Sequence, residues 1–177
     1  MEFNNPSEIV KNLSFGVDAR EKVMAGVEKL TNAVKSTLGA SGKCVIYEDA
    51  MGRPVITKDG VTVAESVVLY DPVENMGATL IKEAAKNTVK EAGDGTTTAT
   101  VIAHSLLTLA NDKKYAATIR PIKEGILSAK DKVIKYLDKI AIEVKGGMLE
   151  NVSAISCNND KDNDKIISQA SSKVGKD

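Results

Sequence analysis

Ala92-Gly93-Asp94-Gly95-Thr96-Thr97-Thr98-Ala99-Thr100-Val101 is the stretch on which the reading of this chain turns. A Gly-Asp-Gly turn stops one helical pattern and leads straight into another. The free N–H groups at a helix start, together with the helix dipole, make a place for an anion. Three threonines put hydroxyls at the same spot. Asp94 adds a carboxylate of the kind that holds Mg2+ beside phosphate and water oxygens. The same residues also serve as a helix C-cap, a turn and a Thr N-cap, because glycine turns are common before helices. Local chemistry alone leaves both readings open.

Upstream, Val73, Met76, Leu80, Ile81, Ala84, Ala85, Thr88 and Val89 form one helical stripe. Asp71 and Pro72 read as its N-cap and first position. Before them, Lys58-Asp59-Gly60 is a tight turn that also offers a cation for phosphate and a carboxylate for metal or water. Cys44 to Tyr47 and Pro54 to Thr57 are short β-type runs with Gly52 between them, which predicts a hairpin. An earlier helix starts at Asp18, with Glu21 completing a capping box, and carries Val23, Met24, Val27, Leu30, Val34 and Leu38. Gly39 ends it in the left-handed position that favours glycine. Ahead of it Leu13, Phe15 and Val17 alternate as a short strand would. Thr37-Leu38-Gly39-Ala40 either admits a ligand close to the backbone or is an ordinary helix cap. Gly39 to Lys43 is not a P-loop. The spacing is wrong, Cys44 stands where Ser or Thr is needed, and a helix rather than a strand precedes it.

Downstream, the helix begun at Thr96 passes Ile102, Leu106 and Leu109. His104 lies two turns in, with no second ligand nearby, and reads as structural. A long helix runs from near Pro121 to about Ile142, with Ile122, Ile126, Val133, Leu137 and Ile140 as its stripe. Gly146-Gly147 is a break. Past it come a stretch around Leu149 to Ile155, a polar loop at Asn158 to Asp164, and a helix around Ile166 to Val174. The shift in composition puts a boundary near 140–147.

The 177 residues, 42% hydrophobic and 27% charged, suit a globular unit with a sizeable core. With 3% aromatics and no Trp, that core is aliphatic. The 24 basic and 24 acidic residues cancel without a basic stripe, which argues against nucleic acid. Cys44 and Cys157 form neither a disulfide framework nor a zinc pattern; they read as packing residues and fit a reducing compartment. Neither a signal-peptide pattern nor an apolar run of about 18 residues is present, so the expectation is a cytoplasmic protein with no membrane partner.

Four blocks occur in order: Thr37-Leu38-Gly39, Ile56-Thr57-Lys58-Asp59-Gly60-Val61-Thr62-Val63-Ala64, Glu74-Asn75-Met76-Gly77-Ala78, and Ala92 through Val101. Together they resemble the 60-kDa (group I) chaperonins, the GroEL/HSP60 family of bacterial and organellar protein-folding rings. Ala154-Ile155-Ser156 and the helix ending Lys173-Val174-Gly175-Lys176 look like the same family. The resemblance implies a mainly α fold: an equatorial-domain-like helical bundle with a small β-hairpin, plus the start of an intermediate domain. By it, residues 1–142 are the N-terminal equatorial-like segment and 143–177 the first intermediate-like segment, with the apical domain absent. It implies ATP and Mg2+ as cofactors. Thr37, Leu38, Gly39 and Ala40 match the backbone strip along the nucleotide, and Lys58 a phosphate-side lysine. Asp94 matches the metal ligand, and Gly95, Thr96, Thr97 and Thr98 the phosphate cradle. Asp59 matches a catalytic aspartate near the γ-phosphate and attacking water. The chain departs from the family at Ala40-Ser41-Gly42-Lys43, where proline and a basic run are usual, and near Ile142, where a hinge proline is common.

Two functions follow as expectations. One is ATP binding linked to ATP-dependent protein folding, incomplete here and with little or no hydrolysis alone. The partners would be chaperonin subunits, with unfolded clients only if the missing domains are supplied. The other is a non-enzymatic chaperonin remnant whose uncovered apolar faces, such as Ile122 to Ile140, engage or modulate a full ring. A stand-alone NTPase is disfavoured by the missing P-loop.

Overall fold

The computed structural model describes residues 13–39, 41–112, 119–144, 148–156, 166–170 and 173. Ala40, Cys157, the Gly146-Gly147 break, the Asn158 to Asp164 loop and the Gly175-Lys176 end lie outside them. The chain divides at residue 117/118 into two units.

The first unit is built on three long helices and a hairpin. Helix α1 (Gly16–Lys35) leads to strands β1 (Val45–Glu48) and β2 (Pro54–Thr57), then a short α2 (Gly60–Ser66), α3 (Pro72–Ala92) and α4 (Thr96–Asn111). The strands pair antiparallel with Ile46 opposite Ile56, as the two β-type runs predict. Asp49 holds their turn by accepting from the amides of Met51 and Arg53 at 2.8 and 2.9 Å. Val27, Leu30, Val34, Val63, Ala64, Ala78 and Ile81 form the core, with Val45, Val67, Leu69 and Ala103 packed against it. Mainly α with one small hairpin is the fold class the sequence leads to.

The packing face of α3 differs from the expected stripe. Met76 and Leu80 are exposed, while Gly77, Ala78, Ile81 and Ala85 are buried. The cause is a close crossing of α1 and α3. A Cβ on Gly26 would stand 1.8 Å from the Glu74 carbonyl oxygen, and one on Gly77 would stand 2.0 Å from that of Val23. Backbones that close demand small residues, so glycine and alanine, not the largest apolar groups, make the contact. Lys22 to Asp71 at 3.1 Å and Lys29 to Glu74 at 2.5 Å tie the same two helices at the surface.

Several local expectations are corrected. Leu13 to Val17 is not a strand: α1 already begins at Gly16, with Phe15 as an N-cap lacking a side-chain bond, so Asp18 lies in the first turn instead of capping it. That helix ends at Lys35, and Gly39 (φ +74°) lies four residues on, in the turns that follow it. Cys44 is exposed. Strand alternation puts Val45 and Tyr47 inward and leaves Cys44 and Ile46 outside. Asp59 does more than make a turn: it caps α2.

In the second unit, α5 (Ile119–Ile140) and α6 (Met148–Ser156) are followed by helical residues 166–170. No residue of α5 is buried; Leu127, Val133, Ile134, Leu137 and Ile140 are all exposed.

Candidate functional site

The α4 N-terminus is shaped by its two glycines. Gly93 (φ +73°) caps α3, its N–H reaching the Val89 carbonyl at 2.9 Å, and Gly95 (φ +86°) opens α4. Left-handed backbone at both flanks of Asp94 reverses the chain within three residues, which only glycine does cheaply. Where Asp59 and Asp71 cap α2 and α3 with side-chain carboxylates, Gly95 has no side chain to give, and α4 carries no side-chain cap. First-turn amides of a helix have no intrahelical acceptor. They face this end together with the positive pole of the dipole. Asp94, exposed, accepts the Gly95 N–H at 2.6 Å. Thr98 is exposed, Thr97 half-buried and Thr96 buried.

The Lys58-Asp59-Gly60 corner meets this end. A Cβ on Gly60 would stand 2.3 Å from Thr97 Oγ1 and 3.3 Å from Thr96 Oγ1, so the first residue of α2 lies directly against the first turn of α4. Asp59 accepts from Thr62 Oγ1 at 2.5 Å, the Thr62 N–H at 2.9 Å and the Val61 N–H at 3.4 Å. Partial burial pushes its carboxyl up. Those hydrogen bonds outweigh the burial and hold it below the ordinary value, so it is ionised at neutral pH. Lys58 is exposed beside it.

Thr37, Leu38 and Gly39 sit in the turns that follow α1. Thr37 Oγ1 points back to the Val34 carbonyl at 2.8 Å. The loop folds on itself through Gly42 N–H to Gly39 O at 2.9 Å and Lys43 N–H to Ser36 O at 2.8 Å. Among the described residues no hydrogen bond joins Thr37, Leu38 or Gly39 to the Asp94–Thr98 turn. Of the site residues read from sequence, the structure brings Thr96 and Thr97 against Gly60, next in the chain to Asp59, and Ala40 is outside the described residues.

Residues 30–176 match the TCP-1/cpn60 chaperonin family. The chain belongs to that family. Its fold is similar to two crystal forms of the chaperonin gp146 from the bacteriophage EL 2 (Pseudomonas aeruginosa), both in the presence of ATP-BeFx. Each has a TM-score of 0.75 and 30% identity, over 88% of this chain. The chain spans 28% of the length of those chaperonins. Among the described residues, no helix is long and apolar enough to cross a membrane.

Two features of this chaperonin chain escape sequence patterning. Thr100, one turn below Thr96, is fully buried, and its Oγ1 has no hydrogen-bond partner among the described residues. The buried Thr31, by contrast, returns its hydroxyl to the Val27 carbonyl at 2.8 Å. A period-3.6 stripe records apolar positions and passes over a threonine. His104 lines a groove of about 330 Å³ between α1 and α4, with Glu21, Met24, Ala25, Glu28, Thr108 and Asn111. Its Nε2 lies 3.4 Å from Thr108 Oγ1, one turn along α4.

Proposed function

We propose that this chain carries the phosphate side of a chaperonin Mg2+·ATP site. The supporting observation is the seating of Gly60 on Thr97, which draws two family motifs far apart in sequence into one corner. The uncapped amides of Thr96, Thr97 and Thr98 suit phosphate oxygens. Asp94 suits Mg2+, which binds through one or two carboxylates together with phosphate and water. Lys58 supplies a phosphate-side cation, and Thr37 to Ala40 the strip along the nucleotide. Asp59, ionised and held by three donors, is the carboxylate for orienting an attacking water. Bound ATP supplies the transferable phosphoryl group; the protein supplies position and charge. In this reading residues 1–142 act as the equatorial-like segment and 143–177 as the intermediate-like segment. The partners are chaperonin subunits in an assembly that uses ATP to fold proteins in the cytoplasm.

Isothermal titration with ATP and Mg2+ tests it. Saturable, Mg2+-dependent binding is expected, weakened at least about tenfold in Asp94→Ala, since losing a metal's carboxylate costs no less than losing its outer partners. A folded chain that takes up no ATP at millimolar concentration refutes the reading. The exposed apolar face of α5 favours a second function, engagement of further chaperonin chain. Sedimentation as a monomer at all concentrations, with no capture of a full-length chaperonin, would remove it.

A further inference from the structure

Helix α2 is only seven residues long, too short to hold its own geometry in water. Its two ends are tied to different things. At the N-terminus Asp59 caps it, and Gly60 lies on Thr97. At the C-terminus the cap residue Val67 is extended and supplies no side-chain bond. The carbonyls there are taken by α3 instead. Lys82 Nζ donates to the Val67 carbonyl and, at 3.4 Å, to that of Glu65. Lys86 adds an ion pair to the Glu65 carboxylate at 3.6 Å, and Asn75 Oδ1 accepts the Leu69 N–H at 3.0 Å. An ammonium at a helix C-terminus satisfies orphan carbonyls and complements the negative pole of the dipole. Lys82 is half-buried, at the cost of desolvating its charge. The same α3 ends at Gly93 and delivers Asp94. One helix therefore holds both walls of the corner: it carries Asp94 at its end and grips α2 through Lys82.

We infer that Lys82 is a positioning residue for the phosphate corner, acting through α2 to keep Asp59 and Gly60 seated against Thr97. This rests on the nucleotide reading above for its functional consequence, but not for its structural one. Lys82 touches neither Thr97 nor Asp94 by any bond described, so its effect on them passes along two turns of helix. Its removal frees the C-terminal end of α2 and lets the N-terminal end rock away from α4.

Lys82→Met, which keeps the apolar stem and loses the ammonium, and Lys82→Arg, which keeps a cation, decide it. In the nucleotide-free chain, Lys82→Met should speed amide hydrogen exchange about fivefold at Thr62 and Val63, which are bonded to Asp59, and at Ala99, which is bonded to the Gly95 carbonyl, the size of coupling carried by such networks. The amides of Val27 and Leu30 in the core should not change, and Lys82→Arg should restore protection. Mg2+·ATP affinity should fall about fivefold in Lys82→Met and recover in Lys82→Arg. Exchange that rises only around Glu65 to Val67, or uniformly over the unit, overturns the inference. So does unchanged ATP affinity in Lys82→Met when the parent chain binds. A parent chain that binds no ATP refutes the nucleotide reading instead, and the exchange comparison still decides the role of Lys82. Should Lys82→Met fail to fold, Lys82→Gln is read by the same criteria.

Discussion

Gly77→Ala should destabilise the first unit although it places a better helix former in the middle of a helix. Alanine at an open helical site gains about 1 kcal/mol over glycine. Here the new Cβ would stand 2.0 Å from the Val23 carbonyl oxygen, 2.9 Å from its carbon and 3.1 Å from its Cα. Contacts under 3.0 Å do not occur at real Cβ atoms, and the obstacle is backbone, which has no rotamer to escape into. The two helices must separate by on the order of 1 Å, which forfeits a quarter to a half of the dispersion energy across that interface. Overpacking of this kind costs about 1–3 kcal/mol, and the upper end applies because nothing flexible yields. Set against the propensity gain, a net loss of about 2 kcal/mol remains, or roughly 10 °C in Tm for a unit of about 100 residues. Urea unfolding followed by circular dichroism measures it. Gly125→Ala on α5 is the control, because a Cβ there meets nothing within 4 Å. It should gain about 0.5–1 kcal/mol. A Gly77→Ala chain as stable as the parent, or one that gains as Gly125→Ala does, would refute the claim that α1 and α3 touch through their backbones.

Thr100→Val should be neutral or stabilising by about 1 kcal/mol, because it replaces an unpaired buried hydroxyl with a methyl of the same shape. A loss of more than about 1 kcal/mol in the same assay would mean that the hydroxyl has a partner in solution. Acid should weaken the fold below the carboxylate range. Asp49 is held down by the Arg53 amide, Asp71 by Lys22 and then by the Glu74 and Val73 amides, and Asp59 by its Thr62 and Val61 bonds against the opposing pull of burial. Each folded value lies below 3.8, so the stabilisation is present above that pH and is lost as pH falls through the folded values. The urea midpoint should drop as pH is lowered from about 4, with a shallower drop in Asp71→Asn. A flat midpoint down to about pH 2 would contradict these bonds.

Much of this molecule is legible along the chain. Helix starts with strong local chemistry, such as Asp71-Pro72 and Gly95-Thr96, lie where their residue types put them, because capping involves only neighbours in sequence. The hairpin follows from two short β-type runs with a glycine between them. Residue chemistry alone left the Gly-Asp-Gly-Thr-Thr-Thr turn ambiguous between cap and anion site, and the family pattern of four ordered motifs resolved the fold. What only the tertiary structure decided is relational. The buried face of α3 is a ridge of Gly77, Ala78, Ile81 and Ala85, because the α1 backbone comes too close for Met76 or Leu80 to be useful there. Asp59 is a cap because the seven residues after it have α1, α3 and α4 to pack on, which no local propensity would supply. Lys82 reads as one more charge on a helix surface, and its grip on Val67 exists only because α2 doubles back beside it. Local hydrogen bonding and periodicity are written residue by residue, whereas close approach between segments depends on which backbones meet, and that is settled by the packing of the whole unit.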